Sequence, residues 1–247
     1  MQTDPENQID AEPGEQSRRV PLTRMRRAIA RAMAASAAVP QFTLESDASL
    51  RALRAIREET TLREDGVSVI DYLLAACAGA LAAHPRLNAS FDEDAILEHV
   101  PINVAVAVSL DDGLIAPAVR DADRLALREL AAERSRLTAA ATAGALTPED
   151  VLSATFTISN LGPYGVRRFR ALVVPPQAAI LAVGAPNADG AVALSLSCDH
   201  RVIDGAPAAI FLGELVAALE SEAWLRAVSL GSNGRRANQT LLPARTA

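Results

Sequence analysis

Apolar and polar positions along the chain follow two periods, one helical and one strand-like. Met25, Ile29 and Met33 fall at helical spacing behind Thr23, a residue suited to cap a helix, and Pro40 ends that run. Phe42, Leu44 and Ser46 then alternate with Thr43 and Glu45, a strand pattern. Ser49 opens a helix with Leu50, Leu53 and Ile56 inward. Ser68 with Asp71 three residues on makes a capping-box start. The segment that follows, VIDYLLAACAGALAAH, is apolar on most faces and predicts a buried helix closed by His84-Pro85. Residues 103–110 predict a strand, Asp111-Asp112-Gly113 a turn, and residues 115–120 the partner strand of a hairpin. A long helix is predicted over 125–143, and a short one at Thr147-Pro148-Glu149 with proline in the first helical position. Residues 155–159 predict a strand that runs into the loop NLGPYG. Two more strands are predicted over 179–183 and 191–197, and a last helix over 206–220.

Hairpin-linked strands interleaved with helices predict an α/β layered fold, a mixed sheet packed against helices, in one domain over residues 21–229. Residues 1–20 and 230–247 hold few apolar residues and are expected to be disordered tails.

Composition narrows the chemistry. Alanine supplies 51 of the 247 residues and aromatics only 3%, so the core is expected to rest on Ala, Leu, Val and Ile. The net charge of −6 argues against a nucleic-acid partner, which selects a basic excess. No apolar run reaches the ~18 residues of a membrane span. All 24 basic residues are arginine. The absence of lysine excludes Schiff-base chemistry on lysine, a Walker P-loop, and any prosthetic group carried on a lysine of this chain. Cys77 and Cys198 form no CxxC pattern, and the first twenty residues are polar rather than apolar. A reducing cytoplasm is the expectation.

The densest polar cluster is Ser197-Cys198-Asp199-His200-Arg201-Val202-Ile203-Asp204-Gly205, where a strand ends and a helix begins. His200 and Asp204 are four apart, so on a helix the carboxylate would share a face with the imidazole and orient it. Spacing alone leaves both a catalytic histidine and an ordinary surface turn open. Only His84 and His99 remain as further imidazoles, and no spacing recruits them to a metal. In a second cluster, Thr155, Thr157 and Ser159 alternate with apolar residues and place three hydroxyls on one strand face. Such a hydroxyl can donate to an oxyanion, and threonines also serve strand propensity. No GxSxG elbow is present.

SCDHRVIDGA resembles the signature of the catalytic domain of dihydrolipoyl acyltransferases, the acyltransferase components of 2-oxoacid dehydrogenase complexes and relatives of chloramphenicol acetyltransferase. FTISNLGPYG, PPQAAILAVG, VAVSLDDGLIAPAVRDAD and PLTRMRRAIARAM accompany it in matching order over roughly residues 21–225. ISNLG and PPQAAILAVG look most like the pyruvate-type acetyltransferases. The resemblance implies a two-layer CoA-dependent acyltransferase fold. It implies transfer of an acetyl or similar short acyl group between coenzyme A and dihydrolipoamide thiols, with acylation of a small hydroxyl or amine, or an inactive trimeric scaffold, as rivals. It makes His200 the general base, Ser159 the oxyanion donor, and Asp204 the group that keeps the histidine in shape, through Arg26 or Arg27. Arg57, Ser68, Asn160 and Gly184 match positions that line the CoA channel. It also implies a homotrimer whose sites lie between subunits, partnered by 2-oxoacid dehydrogenase components. With no lysine, the lipoyl group is expected only from another chain or a removed domain. Arg226 stands where the family carries an apolar C-terminal knob, so assembly beyond the trimer is not expected.

Overall fold

A computed structural model describes residue 17 and residues 19–241 of the chain. In chain order its elements are α1 (Arg24–Ala37), β1 (Gln41–Ser49), α2 (Arg51–Glu59), α3 (Val69–Leu81), β2 (Ala89–Asp92), β3 (Ala95–Glu98), β4 (Val104–Val106), β5 (Val108–Leu110), β6 (Gly113–Ile115) and β7 (Ala118–Val119). They continue with α4 (Leu127–Thr142), α5 (Pro148–Leu152), β8 (Phe156–Asn160), β9 (Ala179–Val183), β10 (Ala191–Asp199), α6 (Gly205–Glu220), α7 (Glu222–Ser229) and α8 (Gly234–Leu241). Six strands form one sheet in the order β1-β10-β9-β8-β4-β7. β8 runs parallel to β4 and β9, and the other pairs are antiparallel, so the sheet is mixed as expected.

Strand alternation gives this sheet two unlike faces. Leu194, Leu196 and Cys198 of β10, Leu181 and Val183 of β9, and Phe156 and Ile158 of β8 join the apolar core with the helices. The intervening Ser195, Ser197, Ile180, Ala182, Thr157 and Ser159 face the other way. Every residue of α3 from Asp71 to Leu81 is buried. Its first turn is held by Asp71, whose Oδ2 accepts from the Ser68 amide at 2.7 Å. The same carboxylate takes two donors from Arg134 of α4, at 2.6 and 3.1 Å, which neutralises a charge that has no access to water. Four of the eight aromatics, Trp224, Tyr72, Phe156 and Phe211, are fully buried, while Tyr164 is exposed.

Two expectations need correction. The hairpin over 103–120 is broken: β4 and β7 join the sheet, while β5 and β6 form a separate two-stranded arm. The Val106 amide donates to the Pro117 carbonyl, but Pro117 has no N–H to return, and the ladder stops there. The short hairpin β2–β3 had no legible signal. The tail expected from residue 230 contains α8, while the expected tail over 1–20 lies largely outside the described residues. α8 lies on α3 because both carry glycine where they cross. A Cβ on Gly234 would meet the Ala75 carbonyl oxygen at 1.8 Å, and one on Gly79 would meet Gly234 at 2.6 Å. Its polar residues are committed to distant partners: Asn238 accepts from Trp224 Nε1 at 2.6 Å, and Arg235 pairs with Asp123 at 3.2 Å. Arg226 is exposed on α7 and pairs with Glu59 of α2 at 3.0 Å.

Gly234→Val is therefore expected to dislodge α8 at a cost of about 1–3 kcal/mol, the usual range for overpacking. Amide exchange should rise over residues 234–241 while β8, β9 and β10 stay protected. Unchanged exchange in that helix would contradict the crossing described.

Candidate active site

Of the three hydroxyls that share a strand face, two are committed to structure. Thr155 Oγ1 accepts from the Asn103 amide at 3.0 Å, and Thr157 Oγ1 donates to Gln177 Oε1 at 2.7 Å. Ser159 is half-buried, and among the described residues its hydroxyl makes no hydrogen bond. Its row across the sheet runs through Ala182 of β9, Ser195 of β10 and Glu45 of β1.

Residues 161–176 cross over this face as a strap. One end is fixed by a buried polar triangle. Gln41 Oε1 accepts from the Val173 amide at 2.9 Å, Ser36 Oγ donates to the Val173 carbonyl at 2.6 Å, and Gln41 Nε2 donates to the Ser36 carbonyl at 2.9 Å. Toward the other end, Arg168 bridges Glu45 (2.7 Å) and Asp47 (2.8 Å), and Arg170 also reaches Glu45 (3.0 Å). Hydrogen bonds from Arg168 and then Arg170 hold the Glu45 carboxyl below the usual carboxylate range. Asn160 and Gly184 lie where the strap leaves the sheet. Asn160 Oδ1 accepts from the Gly162 amide at 2.9 Å, and a Cβ on Gly184 would come within 2.0 Å of the Arg167 carbonyl oxygen. Past the Ser159 row, Asp47, Arg167, Arg168, Asn187, Ala191 and Ala193 line an open groove of 560 Å³.

Arg57 and Ser68 form a second pair elsewhere. Arg57 Nε donates to the Val67 carbonyl at 3.1 Å, next to Ser68 and its bond to Asp71. No hydrogen bond or ion pair among the described residues links this pair to Asn160 and Gly184.

His200 stands one residue beyond β10. Its amide donates to the Pro40 carbonyl at 2.8 Å, its ring packs on Phe42 with centroids 4.7 Å apart, and its side chain is 53% exposed. Asp204 sits at the start of α6 and is 84% exposed, with Oδ1 at 3.8 Å from His200 Nδ1, beyond hydrogen-bond length. The expected arginine partners are engaged elsewhere within the chain: Arg26 donates to the Asp112 carbonyl and Arg27 to the Leu22 carbonyl. Asp204 thus has no arginine from α1 of its own chain. Sequence reasoning passed over Asp199 and Arg201, which the structure joins. Asp199 is nearly inaccessible and accepts from the Arg201 amide and twice from its guanidinium. Both were visible inside the same motif.

Cys77 and Cys198 are buried and free among the described residues, and burial pushes the Cys198 thiol up to about 12, so neither offers a thiolate near neutrality.

Strand geometry separates Ser159 from His200. His200 lies five residues beyond Ser195, which shares the Ser159 row, so it is about 17 Å along the strands and about 10 Å across two of them. In one chain the two residues' backbones stand roughly 20 Å apart by that geometry, too far for both side chains to act on one carbonyl.

Residues 14–226 match the family described as 2-oxoacid dehydrogenases acyltransferase (catalytic domain). The chain is similar to the dihydrolipoyllysine-residue acetyltransferase component of the pyruvate dehydrogenase complex from Rickettsia felis, 38% identical over 88% of this chain and 57% of that protein. It is also similar to the same component from Zymomonas mobilis, 38% identical over 78% of this chain and 48% of that protein. The chain spans about half the length of the curated relatives it matches. Among solved structures, it resembles the cubic core of a pyruvate dehydrogenase multienzyme complex, with 34% identity and a TM-score of 0.79 over 89% of this chain and 96% of that one. It resembles equally the Azotobacter vinelandii dihydrolipoamide acetyltransferase, with 32% identity and a TM-score of 0.79 over 90% and 100%. There a serine, a histidine and an asparagine were investigated for their role in the catalytic mechanism. A chloramphenicol acetyltransferase shares the fold at 13% identity, with a TM-score of 0.52 over 77% of this chain and 94% of that one.

Proposed function

The chain belongs to the 2-oxoacid dehydrogenase acyltransferase family (catalytic domain), and on that premise we propose that it moves an acetyl or similar short acyl group between coenzyme A and dihydrolipoamide. The observation that carries this reading is the pair of uncommitted groups, the outward His200 imidazole and the Ser159 hydroxyl, in a chain of this family. The Azotobacter relative was studied at the same residue types, with its asparagine four positions after its histidine, the spacing of His200 and Asp204.

The imidazole of His200 takes the proton of the incoming thiol. The sulfur then attacks the thioester carbonyl carbon, and the electron pair of the C=O bond moves onto oxygen. Ser159 Oγ–H donates to that oxyanion. When the oxyanion collapses, the C–S bond to the outgoing thiol breaks, and the imidazolium returns its proton to the leaving sulfur. Arg57, Ser68, Asn160 and Gly184 are assigned to coenzyme A. The groove beside Arg167 gives a phosphate-bearing thiol an approach to Ser159 from the side away from the chain's own His200.

The gap of roughly 20 Å between the two backbones supports a site completed by a neighbour, with His200 of one copy facing Ser159 of another. A cyclic homotrimer closes such a head-to-tail contact. In this reading assembly stops at three chains, because Arg226 and the polar residues after Leu230 stand where the family joins trimers through an apolar knob. With no lysine to carry it, the lipoyl group comes on a domain outside these residues, and 2-oxoacid dehydrogenase components are the partners. The two free thiols support a cytoplasmic setting.

Acetyl-CoA mixed with dihydrolipoamide should release free CoA and form acetyl-dihydrolipoamide, while a panel of amines and alcohols run in parallel should release none. Release with only an amine or an alcohol would replace the proposed acceptor.

A further inference from the structure

We propose that Asp199 and Arg201 are positioning residues that, with Phe91 beneath them, hold the turn from which His200 projects. The proposal rests on the reading of His200 as general base. β10 must end, reverse and present one imidazole to a neighbouring chain, and a loose turn would spread that imidazole over several ångströms. The group expected to steady it does not do so within the chain, since His200 and Asp204 are both exposed and stand 3.8 Å apart.

Everything else in the turn is fixed. The Asp199 carbonyl accepts from the amides of Val202 and Ile203, both at 3.0 Å, and the Asp199 amide donates to the Ala178 carbonyl at 2.8 Å. Its carboxylate is 4% exposed, a place where a lone charge would not be tolerated. Arg201 supplies the opposite charge, with its amide and Nε on Oδ1 at 2.9 Å and Nη2 on Oδ2 at 2.6 Å. This two-pronged contact fixes direction as well as distance. The guanidinium carbon then lies 4.2 Å from the centre of the Phe91 ring, so the β2–β3 hairpin supports the clamp from below. Val202 and Ile203 are buried in the core. Of residues 199–204, only His200 and Asp204 are left with side chains free of such ties. The residues flanking the imidazole are therefore locked to each other, and Pro40 and Phe42 of the neighbouring segment take its amide and one face of its ring.

The test uses the assembled full-length chain. Arg201→Gln should lower kcat about 10²-fold, the loss typical of an ångström-scale misplacement. The KM values for acetyl-CoA and dihydrolipoamide, and the oligomer mass, should stay as in wild type. Arg201→Lys keeps a charge on Asp199 without the planar fork, and should recover part of the lost kcat. Phe91→Leu removes only the support and should give a smaller fall in kcat, which keeps the idea testable if Arg201→Gln does not fold. Full kcat in folded Arg201→Gln and Phe91→Leu, or a loss confined to KM, would overturn the clamp while leaving His200 as base. Full turnover in His200→Ala would instead remove the reading on which the clamp depends.

Discussion

His200→Ala is expected to lower thiol acyl transfer by about 10²–10⁴-fold, the usual contribution of a positioned general base. A thiol ionises near ~8.5 and an imidazole near ~6.5, so close to neutrality the substrate is mostly protonated while an imidazole can accept. Without the ring, the reaction must wait for the small thiolate fraction already in solution. The deficit should accordingly narrow as the pH is raised toward the thiol pKa, where the thiolate forms without help. A deficit that stays constant over that range would assign His200 to something other than proton transfer. The ring is half exposed and packs on one side against Phe42, so its removal should leave the melting temperature and the oligomer mass close to wild type.

Ser159→Ala should lower kcat by about 10²–10³-fold with little change in CoA affinity, because the hydroxyl matters when charge develops on the carbonyl oxygen. The sharper result comes from mixing this variant with His200→Ala. Each alone is impaired at every site. If the two residues meet across a subunit boundary, equal co-expression joins an intact serine to an intact histidine at about a quarter of the sites of a cyclic oligomer, and about a quarter of wild-type turnover should return. If one chain held the whole site, every mixture would stay impaired. The roughly 20 Å between the residues in one chain, set by strand register, predicts recovery.

The layered fold was legible because its strongest signals are local. The Ser68–Asp71 box, the apolar run of α3 and the alternation in β8 each depend on residues within a few positions of one another. α8 was not legible because its cause is a contact between Gly79 and Gly234, far apart in the chain, and its stabilising groups Asn238 and Arg235 look like tail residues until Trp224 and Asp123 are brought to them. β2 and β3, four residues each, are too short to establish a period. The site shows the same division. Alternation placed Thr155, Thr157 and Ser159 on one face but could not say which hydroxyl was uncommitted. The motif displayed Asp199 and Asp204 alike. Only the turn reveals that Asp199 faces inward to meet Arg201 while Asp204 faces water.

One end of the strap over Ser159 and its middle are held by different physics. At Val173 the bonds to Ser36 and Gln41 are uncharged and sheltered. At Arg168 and Arg170 the ties to Glu45 and Asp47 are ionic and close to solvent. Dissolved ions screen exposed charges over about 8 Å at physiological ionic strength and over shorter distances as salt rises, whereas sheltered neutral bonds are little affected. The segment is thus fixed at Val173 by sheltered bonds and at Val166 by its carbonyl, which accepts from the Ala185 amide at 2.7 Å, while its middle depends on charge. Rising ionic strength is expected to loosen residues 167–171 first, read as faster amide exchange there in a salt series, independently of the proton chemistry at the histidine.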